Sequence, residues 1–140
     1  MKLLVKKISP QARLPVFNHQ GDAGMDLFSC VQLTIGPGET VAVATGIQMA
    51  IPTGYVGLIW DKSGLALRGI HRLAGVVDAG YRGEVKVVLT NLGKEPFVIE
   101  PGMKIAQMLI QSVPAVEVEE VASLDPTSRG EKGFGSTGLF

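Results

Sequence analysis

The chain has 140 residues, which is a typical length for one domain with a substantial core. Its 13 basic and 13 acidic side chains cancel, so no overall field would draw the protein to nucleic acid or to an anionic membrane, and we expect neither as a partner. A single cysteine, Cys30, excludes an internal disulfide and fits a reducing compartment. No stretch reaches the ~18 apolar residues of a membrane span, and we expect a cytoplasmic protein.

The first half of the chain predicts a series of short strands. Residues 2–8 alternate weakly and could form the first one. Residues 31–35 alternate apolar and polar side chains, as a half-buried strand does, and the Gly-Pro-Gly of residues 36–38 would turn after it. Residues 41–50 and 55–60 are apolar and rich in β-branched side chains, and they predict two further strands.

Residues 61–66, DKSGLA, place a cation, a hydroxyl and a glycine at the end of a strand. A short helical turn is predicted over residues 65–70. Backbone donors at a helix start, with Lys62 beside them, suit a phosphate. The alternative is a plain helix cap in which Ser63 bonds the first turn. These residues alone favour the cap.

Residues 75–84, GVVDAGYRGE, stop an apolar run at Asp78 and then place Tyr81 between glycines. A strand serving only the core would continue with apolar residues, so the stretch predicts a hairpin that carries functional groups. The alternative is an ordinary hairpin, in which Asp78 satisfies backbone donors and Tyr81 fills a strand face. The rest of the chain has to decide between them.

Further strands are predicted over residues 84–89, 97–99 and 104–113, and over residues 116–121, where valines alternate with glutamates. The chain also contains 18 glycines and 8 prolines, which punctuate these segments. Roughly ten short strands separated by turns are typical of an all-β sandwich or barrel. We expect this domain to occupy residues 1–122.

Residues 123–140 have few aliphatic side chains and much Gly, Ser and charge, so they should not fold alone and are predicted to form a flexible arm. Gly133, Gly135 and Gly138 spell G-x-G-x-x-G. That dinucleotide fingerprint requires a preceding strand and a following helix, and neither is predicted here.

The arm nevertheless contains groups that could bind a phosphate. Glycine amides, the hydroxyls of Ser136 and Thr137, and the charge of Arg129 would supply donors. The alternative is a terminus that docks on nothing. Three apolar side chains, which are costly to leave in water, favour docking: Phe134, Leu139 and Phe140.

Five stretches of the chain resemble, in order, the five motifs of the trimeric dUTPase family. They are AGMDL at residues 23–27, KSGLA at 62–66, GVVDAGYRGE at 75–84, GMKIAQ at 102–107 and RGEKGFGSTG at 129–138. The last motif is nearly specific by itself. The resemblance implies a jelly-roll subunit in a homotrimer, with three sites at subunit interfaces and a C-terminal arm closing each from a neighbour. It also implies hydrolysis of dUTP to dUMP and pyrophosphate with Mg²⁺ as cofactor.

Carried over by position, the third motif would supply the chemistry and the nucleoside contacts. Asp78 would orient and deprotonate the water that attacks the α-phosphorus. Tyr81 would pack on the deoxyribose and exclude a ribose 2′-hydroxyl. The backbone groups that would read the uracil edge belong to Gly75, Val76, Val77 and Lys86.

The other motifs would bind the triphosphate. The residues implied to hold the phosphates are Lys62, Ser63, Gly64 and Gln107. Asp26 would reach the water shell of the metal or support the site, and no residue would bind the metal directly, since Mg²⁺ prefers substrate phosphates and waters. In the arm, Phe134 would stack on uracil. Arg129, Ser136 and Thr137 would clamp the triphosphate.

The chain departs from the family pattern at three places. Many relatives have Pro-Arg where this chain has Asp61-Lys62, so a bidentate guanidinium becomes a point charge. Gly80 replaces an acid often found before the tyrosine. Arg72 falls near the place where some relatives make a polar uracil contact, and that contact is not carried over.

Two rival functions belong to the same fold. The related dCTP deaminases use a glutamate on the strand after residues 75–84, and the corresponding residue here is Val88, which cannot move protons. A non-catalytic jelly-roll trimer is the other rival. The presence of Asp78, Tyr81 and the complete arm argues against it.

Overall fold

The structure, a computed structural model, describes residues 1–138, so Leu139 and Phe140 of the predicted docking groups lie outside the described residues. Within residues 1–138, ten strands and one short helix follow each other. They are β1 (Leu4–Lys7), β2 (Met25–Phe28), β3 (Leu33–Ile35), β4 (Thr40–Ala50), β5 (Tyr55–Trp60), α1 (Ser63–Ala66), β6 (Ile70–Leu73), β7 (Val76–Val77), β8 (Glu84–Asn91), β9 (Phe97–Ile99) and β10 (Lys104–Ser112).

The strands form two four-stranded sheets and one two-stranded sheet, all with antiparallel pairing. The first sheet has the order β1-β4-β8-β6, and the second has the order β2-β10-β5-β7. The third pairs β3 with β9. Apolar side chains from both large sheets enter one core cluster. The predicted all-β, jelly-roll-like class is therefore confirmed.

Side-chain alternation in β8 explains how this strand serves the core and the surface together. Val85, Val87 and Leu89 are each 1% exposed, whereas Lys86 between them is exposed. Successive side chains of a strand point to opposite faces of the sheet. One face of β8 thus closes the core, and its other face is available to a site.

Strand β4 carries a bulge beside the start of β8. Its register shifts between Ala44 and Gln48, where Gly46 has a φ of +68°. A Cβ on Gly46 would lie 2.7 Å from the Cβ of Ser9, so a side chain has no room there. The Gly46 N–H donates to Glu84 Oε1 over 3.0 Å. The bulge therefore holds the first residue of β8 in place.

The prediction of a hairpin over residues 75–84 is wrong. β7 pairs with β5 in the second sheet, whereas β8 pairs with β4 and β6 in the first. The stretch is a crossover from one sheet to the other. Ala74 and Gly75, with φ values of 60° and 118°, reverse the chain just before β7. The turn residues of a hairpin and of a crossover are alike, because the difference lies in long-range pairing.

The helical turn lies earlier than predicted. α1 covers Ser63–Ala66, and Ile70 already begins β6, because Gly69 with a φ of 81° ends the turn. The capping alternative for Ser63 is wrong, since Lys62 holds the N-cap position and no side chain of residues 1–138 caps the helix.

Residues 116–121 were predicted to be a strand, and that prediction is wrong for the described chain. They extend without a strand partner, and Val116 and Val118 are 77% and 93% exposed. Beyond them, the hydrogen bonds found for residues 123–138 join residues of that segment only. Within residues 1–138, no helix has the length and apolar character that crossing a membrane requires.

Candidate active site

A pocket of about 440 Å³, here called the first pocket, opens where the chain crosses between the two sheets. β6 and β7 are the edge strands of their sheets, so the pocket lies between two free edges. Its lining consists of Ile59, Leu73, Ala74, Gly75, Val76, Val77, Asp78, Tyr81, Glu84, Val85, Lys86 and Val88. Six residues that the sequence singled out are thus brought together: Gly75, Val76, Val77, Asp78, Tyr81 and Lys86.

Asp78 follows β7 directly and is exposed at the pocket. Its carbonyl accepts the Tyr81 N–H over 3.0 Å, which closes a tight turn and orients the side chain outward. Within residues 1–138, no hydrogen bond or ion pair engages its carboxylate. A carboxylate with free lone pairs is able to accept a proton from a water molecule.

The Tyr81 ring lies over the backbone of Gly83. A Cβ on Gly83 would come within 2.5 Å of Tyr81 Cζ, so glycine is required for this arrangement. The Tyr81 hydroxyl donates to the Glu84 carbonyl over 2.9 Å, and the side chain is 47% exposed. Gly80, on the other side, has no atom of the described residues within 4 Å of an added Cβ. Only Gly83 has a steric reason to be glycine.

Backbone groups with no strand beside them face the first pocket at Lys86. The Thr45 hydroxyl donates to the Val85 carbonyl, so Val85 directs its polar groups toward β4. Polar backbone groups alternate in direction along a strand, and those of Lys86 therefore point the other way. β6 has already ended there, opposite Val88.

Val76 presents its backbone in the same manner. The Gly75 carbonyl accepts the Ile59 N–H over 2.8 Å, so the groups of the next residue point away from β5. Since β7 is an edge strand, no other strand in the described part of the chain takes up those groups. Edge N–H and C=O groups are able to read the donor and acceptor pattern of a flat base.

A second pocket of about 510 Å³ lies beside the end of β5. Its lining consists of Asn18, Asp22, Ala23, Gly24, Asp26, Trp60, Asp61, Lys62, Gln107 and Leu109. Of the predicted phosphate ligands, Lys62 and Gln107 belong to it. Ser63 and Gly64 follow Lys62 and are exposed.

Asp26 is 1% exposed and is surrounded by donors. Its Oδ1 accepts from Lys62 Nζ over 2.5 Å, and its Oδ2 accepts from Lys104 Nζ over 2.7 Å and from Asn18 Nδ2 over 2.5 Å. Burial by itself raises the pKa of Asp26. The hydrogen bonds from its three partners and the charge of Lys62 outweigh that effect, and the pKa falls from 3.8 to about 2.

Gln107 is held from two sides. Its Nε2 donates to the Asp61 carbonyl over 2.8 Å. A Cβ on Gly24 would lie 3.1 Å from Gln107 Cδ, so the glycine leaves room for the amide. The side chain of Gln107 is therefore fixed at the second pocket before any ligand arrives.

Arg72 does not line the first pocket. Its guanidinium carbon lies 4.7 Å from the centre of the Trp60 ring, and its Nη1 donates to the Ala74 carbonyl over 2.8 Å. A stacked guanidinium of this kind supports the reversal at Ala74.

A magnesium ion that arrives with a substrate would need few ligands from the protein. Within residues 1–138, no group of three or more His, Cys, Asp or Glu side chains could hold a metal. Both oxygens of Asp26 are already occupied by Lys62 and Lys104. Mg²⁺ commonly takes most of its ligands from phosphates and water, so an ion bound mainly by a triphosphate needs no protein cage.

The arm residues are not brought to either pocket. Arg129, Ser136 and Thr137 are exposed, and Phe134 has a φ of 48° with its ring fully in solvent. The only side-chain bond of Arg129 among the described residues is to the Lys132 carbonyl, over 3.1 Å. One chain therefore holds its predicted site residues in three separate places.

The two pockets share no residue. Ile59 lines the first and Trp60 lines the second, and adjacent residues of β5 point to opposite faces of the sheet. Sequence reasoning missed Lys104 and Asn18. Lys104 stands inside a quoted motif, whereas Asn18 lies in no patterned stretch and gave no signal.

Comparison with known proteins gives one family. The dUTPase family model matches residues 11–138. The deoxyuridine 5′-triphosphate nucleotidohydrolase of Clostridium kluyveri is 51% identical over 143 residues, covering 100% of both chains. The protein of that name from Corynebacterium diphtheriae is 48% identical, covering 96% of this chain and 91% of its own.

Solved structures similar to this chain belong to the same family. A mutant dUTPase of Staphylococcus bacteriophage 80alpha, in complex with dUpNHpp, superposes with a TM-score of 0.94 at 30% identity over 99% of each chain. A mutant of the phage phi11 dUTPase, which reveals the coordination of a structural Mg(II) ion, has a TM-score of 0.83 at 27% identity, covering 88% of this chain and 98% of its own. The chain therefore belongs to the dUTPase family and is an enzyme.

Proposed function

We propose that this enzyme hydrolyses dUTP to dUMP and pyrophosphate by in-line attack of a water molecule on the α-phosphorus. The observation that carries the proposal is the first pocket, which joins an unengaged carboxylate, an aromatic ring and free backbone edges. These groups match a proton acceptor, a sugar platform and a base reader. The names of the relatives and the dUpNHpp complex support the same substrate.

Asp78 is the general base of the proposed reaction. It would orient the attacking water and take its proton, a contribution of roughly 10² to 10⁴ in rate. The rest of the acceleration has to come from alignment of the phosphates and neutralisation of their charge. The base is Asp78 because its carboxylate is the one that stands free in the first pocket.

The phosphates would bind at the second pocket. Lys62 Nζ gives one of its donors to Asp26, and an ammonium group carries three. The remaining donors of Lys62, the Gln107 amide, and the Ser63 and Gly64 groups would meet the phosphate oxygens. Magnesium bound by the triphosphate would neutralise part of the charge of the phosphates. Asp26 is already engaged by Lys62 and Lys104, so it would support the site rather than reach the ion.

A homotrimer would complete each site. The first and second pockets of one chain face different sides of β5, so a nucleoside bound at one needs phosphate ligands from another copy. Trp60 and Val76, 48% and 68% exposed, leave apolar surface on the outer face of the same sheet. Residues 123–140 would then reach a neighbouring copy, with Phe134 stacked on uracil and Arg129, Ser136 and Thr137 on the triphosphate.

A turnover assay with dUTP and dCTP, reading pyrophosphate and ammonia, tests the reaction. We expect pyrophosphate from dUTP and no ammonia from dCTP. Val88, which lines the first pocket at the position of the deaminase glutamate, has no group that transfers protons. Ammonia release would instead support the deaminase, and no turnover of either nucleotide would support a binding protein.

The single cysteine bears on where the protein is located. Cys30 is buried and is unpaired among the described residues, which suits a reducing compartment, and we propose that the enzyme is located in the cytoplasm.

Light scattering tests the assembly. We expect a mass of three times 14.8 kDa. A monomer that still hydrolyses dUTP would refute the shared site, because one chain would then suffice.

A further inference from the structure

Asp61 is the first residue after β5, and its polar groups contact three other residues. Its Oδ1 accepts the backbone N–H of Arg72 over 2.7 Å, and its Oδ2 lies 2.6 Å from His71 Nδ1. Its carbonyl accepts from Gln107 Nε2 over 2.8 Å. One residue therefore ties the end of β5 to β6 and to β10.

The contact to Arg72 supplies a partner that β6 lacks. Arg72 pairs with Leu89 of β8. Val85 directs its polar groups toward β4, where Thr45 donates to its carbonyl, and the period of two gives Leu89 the same direction. The N–H of Arg72 therefore points out of the sheet edge. The carboxylate of Asp61 takes up this donor in a charge-assisted bond.

The strand to which this bond attaches Asp61 is held by its pairing with β8 and leads to the first pocket. Leu73 and Ala74 follow Arg72 and line that pocket. On its other side, Asp61 precedes Lys62 and holds Gln107, both of which line the second pocket. The same residue thus stands between a wall of the first pocket, through its carboxylate, and two groups proposed to bind phosphate, through its backbone.

We infer that Asp61 is a positioning residue for the phosphate side of the site: anchored through its carboxylate to the edge of β6, it sets the places of Lys62 and Gln107. This inference rests on the proposed function. It gives a role to a residue at which the chain departs from the Pro-Arg pattern. The contact with His71 is a minor part, because the His71 and Asp61 side chains are 45% and 26% exposed, and such solvent-accessible pairs contribute little.

The test compares two ligands that share the nucleoside. dUpNHpp carries three phosphate groups and dUMP carries one, so a residue that positions phosphate ligands should affect dUpNHpp more. We expect Asp61→Ala to weaken dUpNHpp binding about 10-fold and to raise KM for dUTP similarly, while dUMP binding changes less than about 2-fold. Calorimetry gives both dissociation constants without turnover.

Two further variants separate position from charge. Asp61→Asn keeps an acceptor for the Arg72 N–H and can donate to a neutral His71 ring, so we expect it to bind dUpNHpp within about 3-fold of the unmodified protein. His71→Ala removes the lesser contact and should give a small loss, about 2-fold, again only for dUpNHpp. Glu100→Ala, an exposed acid that lines neither pocket, is the matched control.

Equal losses for dUpNHpp and dUMP would overturn the inference, since they indicate a general structural clamp. An Asn variant as weak as the Ala variant would overturn it too. If Asp61→Ala does not fold, the other two variants still test the inference. A loss of dUpNHpp affinity greater than 10-fold in Asp61→Asn would contradict it. An equal effect of His71→Ala on both ligands would contradict it too. Failure of the proposed function would differ, because the unmodified protein would then not turn over dUTP.

Discussion

The two pockets of this enzyme differ in what shapes them, since one depends on backbone geometry and the other on charged side chains. The first is shaped by backbone: reversed φ angles at Ala74 and Gly75, a glycine under the Tyr81 ring and unpaired strand edges. The second is shaped by charge, with two lysines and an asparagine around Asp26. The first should therefore respond to added or removed atoms, and the second to a removed charge or to acid.

The largest effect should come from removing the carboxylate of Asp78 in the first pocket. Asp78→Asn keeps the shape of the side chain but removes the proton acceptor, so we expect kcat to fall about 10³-fold. Binding of dUpNHpp, measured by calorimetry, should change little. The control is Glu100→Gln, an exposed acid outside the arm that lines neither pocket. An equal loss of affinity and rate would assign Asp78 a structural role.

In the second pocket, Asp26→Asn should act mainly on stability. It leaves Lys62 and Lys104 beside an uncharged amide, and breaking a buried ion pair in this way costs about 3 to 5 kcal/mol. Urea unfolding at equal chain concentration would measure the loss. Asp22→Asn, exposed in the same pocket, should lose much less.

The pH dependence of that loss follows from the pKa of Asp26. Because the folded value of about 2 lies below the ordinary 3.8, ionised Asp26 stabilises the native state fully above about pH 4. The contribution, about 2 kcal/mol, disappears as the pH falls from about 4 to about 2. The stability difference between the unmodified protein and Asp26→Asn should narrow over this interval. A constant difference would contradict the ionised state of Asp26.

Removing the arm tests whether residues 123–140 close the site and exclude water from both pockets. Truncation after Asp125 should leave a folded trimer, since the hydrogen bonds found for residues 123–138 stay within that segment. We expect turnover to fall about 10²-fold, because water would no longer be excluded. Phe134→Ala should be milder, as one stacked base is worth about 1 to 3 kcal/mol. Near-normal turnover by the truncated protein would exclude a closing role.

Tyr81→Ala tests the first pocket as a steric filter. The ring is the evident group that would meet a ribose 2′-hydroxyl, so its removal should reduce the preference for dUTP over UTP about 10-fold. The ratio of kcat/KM for the two nucleotides is the measurement. An unchanged ratio would mean that another residue selects the sugar.

The smallest effects distinguish the two glycines around that ring. Gly80→Ala should change the free energy of unfolding by less than about 0.5 kcal/mol, because no atom of residues 1–138 lies within 4 Å of the added Cβ. Gly83→Ala would place a Cβ 2.5 Å from Tyr81 Cζ and should displace the ring. We therefore expect Gly83→Ala to lower the preference for dUTP over UTP, by less than Tyr81→Ala does. Gly80→Ala should leave this ratio of kcat/KM unchanged.

Much of the fold could be predicted from local pattern. β5 and β9 begin and end at the predicted residues, because alternation and turn residues mark such strands clearly. Pairing could not be predicted in the same way. Residues 75–84 have hairpin turn chemistry but connect two sheets, and residues 116–121 alternate well but find no partner among residues 1–138.

The candidate site shows the same limit. Motif order pointed to Asp78, Tyr81 and Lys62, and the structure places them at pockets. The sequence could not show that Asp26 is enclosed by Lys104 and Asn18, because that cluster depends on segments far apart in the chain. Only the resemblance, and no local pattern, implied that the predicted residues of one chain lie in separate places.

The division of the two pockets between opposite faces of one strand has a genetic consequence. If every site combines the first pocket of one copy with the second pocket of another, a chain that lacks Asp78 and a chain that lacks Lys62 are each inactive alone. Mixed assemblies of the two would contain some sites with both residues intact. Two defective alleles expressed together would then complement each other, whereas either defective allele beside a normal one would lower the output of the shared assemblies.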